Sequence, residues 1–79
     1  MNLYLISQTV TRGYETYDSA VVAAKCEEDA AYMHPCGGSL EEHSWRYDWA
    51  EFDEVRVQLI GVAARGTAAG VICASFNAG

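Results

Sequence analysis

The sequence predicts a single α+β domain over residues 1–79, a four- or five-stranded antiparallel sheet with one short helix packed on one face. Three observations lead there. The chain has 79 residues, enough for one domain and no more. Four short segments concentrate or alternate apolar residues as strands do, with turn residues between them. One segment carries both a helix start signal and a helix stop.

Taken in order, Leu3–Ser7 alternates leucines with Tyr4 and Ile6 and suits a strand. Thr9–Tyr17 is polar, hinges at Gly13 and reads as a loop or hairpin connection. Ser19–Ala24, SAVVAA, is the nearly continuous apolar run of a central strand covered on both faces. Cys26 then opens a helix of about two to three turns. Glu27, Glu28 and Asp29 fill its first turn, where the positive end of the helix dipole favours carboxylates. Ala30, Ala31 and Met33 face the sheet, and Pro35 with Cys36-Gly37-Gly38 ends the helix. Val55–Ala63 alternates Val55, Val57 and Leu59 with Arg56 and Gln58. Val71–Phe76 follows after the Gly/Ala-rich connection Ala64–Gly70, which suits an antiparallel pair. Within Ser44–Phe52 a short strand and a helical turn fit equally well.

Composition narrows the function. Eleven acids against five bases give a net charge of −6, which disfavours direct binding to nucleic acid or to an anionic membrane. A basic partner suits that charge, although acidity also simply keeps a small protein soluble. No apolar run approaches the ~20 residues of a membrane span, and the N-terminus lacks the pattern of a signal peptide, so a soluble intracellular domain is expected. Cys26, Cys36 and Cys73 are too few and too irregular for a disulfide framework. Cys73, in an apolar run, is expected to be a small buried hydrophobe.

Two chemical constellations fare poorly. Cys26, His34, Cys36 and His43 are soft metal ligands within eighteen residues, but they lack the close Cys-x2–4-Cys pair of structural zinc sites. Cys36 with His34 suggests a nucleophile and its base, yet nothing nominates an orienting group or oxyanion donors. The glycines fit no phosphate loop. The residues therefore predict no catalytic group, no metal and no cofactor.

What stays is Glu41–Glu54, EEHSWRYDWAEFDE, with six carboxylates, one Arg and four aromatics in fourteen residues. Rings beside charges are the composition of a gripping interface. They are also that of an amphipathic segment with its rings in the core, and the residues do not choose between the two. As an interface, the acids Glu27, Glu28, Asp29, Glu41, Glu42, Asp48, Glu51, Asp53 and Glu54 face a basic surface of a host protein or ribonucleoprotein, standing in for phosphates. Trp45 and Trp49 are the expected anchors, Tyr14 and Tyr17 are weaker ones, and Arg46 is placed to stack on a neighbouring ring.

The opening NLYLISQTVTRGYETYDSAVVAA, the acidic helix ending in His34-Pro35 and the closing GVICASFNAG resemble a family of small phage and prophage proteins. The likeness covers most of the chain and is carried best by its two ends. It implies an anti-CRISPR protein, active in the cytoplasm of the bacterial host, which binds a type I Cascade effector and blocks target DNA. The alternative is a phage accessory protein with another host partner and no CRISPR role. The resemblance assigns no individual residues, and the oligomeric state is left open.

Overall fold

The structure is a computed structural model that describes residues 1–43 and 48–77. Its strands are β1 (Asn2–Ser7), β2 (Thr16–Ala24), β3 (Arg56–Val62) and β4 (Gly70–Asn77). Between β2 and β3 lie the helix α1 (Glu27–Ala31) and two 3-10 turns, Glu41–His43 and Phe52–Glu54. The expected architecture forms: one four-stranded antiparallel sheet with a short helix against one face. Among the described residues no helix is long and apolar enough to cross a membrane.

The alternation read in β1 sets the layer. Tyr4 and Ile6 point to one face and meet Val22 and Ala20 of β2, their cross-strand partners. With Ala24, Ala30 of α1 and Trp49 they make the core, and Ile6 and Val22 are its largest fully buried side chains. A core this small needs close approach of its layers. The alanines of β2 and α1 allow it, since they bring no bulk and lose no rotamer freedom. On the opposite face Leu3, Leu5 and Val21 are only half-buried. β2 is central as expected, but α1 covers one of its faces rather than both.

The strand order is β3-β1-β2-β4, which corrects the expected pairing of the last two strands. β3 binds β1 and β4 binds β2, so they stand on opposite edges. The apolar β2 would expose an unpaired edge if β4 joined β3, and pairing on both sides removes that liability. The connection is long enough to allow this. Crossing three strand spacings takes about 14 Å, whereas seven extended residues reach about 23 Å. Cys73 is corrected by the same arrangement: on an edge strand opposite Val21, it is exposed. Each edge strand also bulges, at Ile60 against Leu3/Tyr4 and at Ile72 against Val21/Val22, a twist that hinders edge-to-edge association.

α1 is shorter than expected, five residues rather than two to three turns. Cys26 is its extended N-cap and makes no side-chain cap. The chain turns back immediately after it. His34 N–H donates to Gly38 O at 3.0 Å and Leu40 N–H to Tyr32 O at 2.8 Å, with Gly37 and Gly38 both at positive φ. A Cβ on Gly38 would meet only the movable end of the exposed Glu42 side chain, so the positive φ is what favours glycine there.

Candidate functional site: an acidic surface around a stacked ring pair

The acidic surface begins at α1. Ala30 and Ala31 bury the sheet side of the helix, which leaves Glu27, Glu28 and Asp29 in water. Tyr32 follows Glu28 by four residues and so emerges on the same side, at the helix C-cap. There its ring stacks on Phe52, with centroids 4.1 Å apart and planes 13° from parallel. Both rings remain about 40% exposed: 42% for Tyr32 and 39% for Phe52. Phe52 is held by the turn it opens, because Glu51 and Glu54 cap that turn reciprocally, side chain to backbone in both directions.

Phe52 lines two clefts, one on either side of its ring. One, of about 430 Å³, is lined by Tyr32, Phe52, Leu40 and Trp49 and carries Glu41, Glu51 and Glu54. The other, of about 410 Å³, has Ala31, Val55 and Val57 with Phe52, beside Glu27 and Glu28. Eight of the nine expected acids, Glu27, Glu28, Asp29, Glu41, Glu42, Glu51, Asp53 and Glu54, are exposed. Among the described residues none of these eight is within salt-bridge distance of a Lys or Arg. A surface this acidic, with an apolar ridge and a trough on either side, is suited to a cationic partner that also offers something flat or aliphatic to cover the rings.

Two of the expected surface residues belong elsewhere. Asp48 is 6% exposed and Trp49 7%, so neither reaches a partner as assigned. Contacts distant in sequence pull both inward. Asp48 O accepts the Tyr17 N–H at 2.8 Å, and Trp49 O accepts the Thr11 hydroxyl at 3.1 Å. Thr11 is fixed in turn by buried Gln8, whose amide accepts from Val10 and Thr11 N–H and donates to Thr11 and Tyr17 carbonyls. The Trp45 assignment, with Arg46, lies outside the described residues. Of the weaker candidates, Tyr14 is 79% exposed at the hairpin tip, far along the chain from the acids. Tyr17 instead packs its ring on Phe76 at 4.7 Å and edge-on to His34 at 5.8 Å.

Asp48 has a different role. Its Oδ1 lies 2.9 Å from Nε2 of His34, which is 2% exposed. His34 Nδ1 accepts the Cys36 N–H at 3.0 Å, which assigns the proton to Nε2 and makes it the donor to Asp48. This buried pair clips the loop after α1 to the segment that leads into Phe52. It therefore fixes the two rings relative to each other. Beside it, Cys36 Sγ lies 3.5 Å from Nε2 of His43, and the His34 and His43 rings are 4.4 Å apart. Sequence reasoning missed the Tyr32–Phe52 pair, although the Glu28–Tyr32 spacing was a usable signal. It also missed the His34–Asp48 clip, for which a fourteen-residue separation left none. Comparison with known proteins returns no match: no family model, no curated protein and no solved structure.

Proposed function

We propose that this chain is a non-enzymatic binding protein that presents its acidic surface to a basic, nucleic-acid-handling surface of a larger partner. The observation that carries the reading is the exposed Tyr32–Phe52 stack ringed by carboxylates that, among the described residues, have no Lys or Arg within salt-bridge distance. Carboxylates spaced over a surface mimic phosphates electrostatically and steer association. Alone they would bind weakly and lose affinity in salt. A pre-stacked ring pair adds a contact that can be desolvated, and aromatic anchors dominate binding energy.

Following the resemblance of the two chain ends to small phage proteins, the proposed partner is a type I CRISPR effector complex, and the proposed action is to block its target-DNA binding. The test is competition. The purified protein, titrated against an assembled effector, should release labelled target duplex in a gel-shift assay while the guide RNA stays bound. Undiminished DNA binding at saturating protein refutes direct competition. A pull-down from a host lysate that captures a different nucleic-acid-binding protein on the same surface would favour the phage accessory reading.

A further inference from the structure

We propose that the loop from His34 to His43 is a three-donor site for Zn²⁺, formed by His34, Cys36 and His43. One ligand atom from each lies within 4.8 Å of the others. The Cys36 Sγ is 3.5 Å from one ring nitrogen of His43 and 4.0 Å from the other. In tetrahedral zinc, with Zn–S about 2.3 Å and Zn–N about 2.0–2.1 Å, a sulfur–nitrogen edge is about 3.5–3.6 Å. Nε2 of His43 sits at that separation, and Nδ1, at 4.0 Å, must close by about 0.4 Å to reach it. Cys26, a possible fourth ligand by sequence, caps α1 and stands outside the cluster.

The hydrogen bonds prepare each ring. His34 donates from Nε2 to Asp48, leaving the Nδ1 lone pair aimed toward Cys36, where it accepts the backbone N–H. A histidine whose far nitrogen is held by a buried carboxylate is the usual outer-shell arrangement of a zinc ligand. His43 Nε2 lies 2.8 Å from Gly37 O and donates to it, which leaves Nδ1 as its ligating atom. Metal entry exchanges the Cys36 N–H bond at His34 for a Zn–N bond. It also replaces the thiol S–H bond with Zn–S, and that proton goes to solvent, with no change of oxidation state.

Exposed Cys36 gives the ion a path in, and three protein ligands leave a fourth position for water. Gly37 and Gly38, at φ 108° and 76°, let the backbone reverse between the donors. The site would sit at the edge of the acidic cleft, since His34, His43 and Glu41 line the same depression. A cation there is stabilised by the surrounding carboxylates.

The experiment uses the full, tag-free chain with Co²⁺ as a spectroscopic probe and Zn²⁺ in competition against a chromophoric chelator. One equivalent should bind, with a sulfur-to-cobalt charge-transfer band in the near ultraviolet. Cys36→Ser should abolish the band and weaken Zn²⁺ at least tenfold, and His43→Gln should weaken it by a similar factor. Cys26→Ser and Cys73→Ser should leave both readouts unchanged. Asp48→Asn, which keeps an acceptor for His34, should lower affinity tenfold or more while the protein remains folded by circular dichroism. Absence of binding at 100 μM metal overturns the proposal. So does binding that survives Cys36→Ser and His43→Gln but is lost in Glu51→Gln/Glu54→Gln, because the ion would then lie on the exposed carboxylates of Glu51, Asp53 and Glu54.

Discussion

Removing the Asp48 carboxylate should be the most damaging single change outside the hydrophobic core. His34 and Asp48 are 2% and 6% exposed and meet at 2.9 Å. Asp48→Ala would leave the His34 Nε2–H buried without its acceptor. Leaving a neutral, buried N–H without the carboxylate that accepts it costs about 1.5–3 kcal/mol. A domain of this length has about 4–12 kcal/mol in total, so the variant would lose a large share of its stability. At about 4–8 °C per kcal/mol for a domain of this size, the midpoint should fall by at least about 6 °C. Asp48→Asn keeps an oxygen for the Nε2–H and loses only the charge assistance, about 1 kcal/mol. Thermal and urea unfolding followed by circular dichroism should therefore rank wild type above Asn above Ala. A double-mutant cycle with His34→Ala separates the His34 contribution from whatever else Asp48 touches, and a coupling of about 2 kcal/mol or more is expected. If Asp48→Ala unfolds within about 1 kcal/mol of wild type, or if the cycle shows no coupling, the clip does not hold the loop and the argument is wrong.

The remaining expectations concern the surface and the core. Tyr32→Ala and Phe52→Ala should leave folding nearly intact, since both rings are about 40% exposed (42% and 39%), while each speeds dissociation from the partner at least tenfold in biolayer interferometry. Glu27→Lys/Glu28→Lys should instead slow association and flatten its dependence on salt, because rim charges act on encounter over a Debye length of ~8–10 Å. Val22→Ala, at a fully buried position, should cost about 1–3 kcal/mol in urea unfolding. Cys73 should react with iodoacetamide in the native state as fast as Cys26, because both thiols are exposed.

Much of the fold could be read from local pattern. The alternation of Tyr4 and Ile6 with Leu3 and Leu5 sets the face of β1, and three acids followed by two alanines set both sides of α1. Strand order could not be read this way. β3 and β4 look like neighbours because sequence adjacency and a short connection favour a hairpin. The competing demand, that β2 have a partner on each edge, is a property of the assembled sheet. The site divides similarly. Exposed acids announce themselves by composition, and eight of nine lie where charge put them. Asp48 and Trp49 sit in a stretch without periodicity, where Tyr17 and Thr11, more than thirty residues away, decide which side faces in.

That decision explains why the exposed aromatic ridge is built from Tyr32 and Phe52. β1 gives Tyr4 and Ile6 to the core, whereas β2 and α1 give mainly alanines with Val22. Trp49 fills the space these leave under the sheet. The surface is left with rings that the fold can hold without burying them. Stacking at 4.1 Å does this, because each ring restricts the other before any partner arrives. Ordering a free side chain at an interface costs about 0.5–1.5 kcal/mol, and much of that cost is met in folding when the ring is already stacked. The His34–Asp48 clip enforces the arrangement from behind by tying the chain after Tyr32 to the chain before Phe52. Loosening the clip should therefore weaken partner binding even where both rings are intact. Asp48→Asn, assayed at a temperature where it is fully folded, should show faster dissociation with an unchanged association rate. An unchanged dissociation rate would mean that the stack orders itself without help from the buried pair.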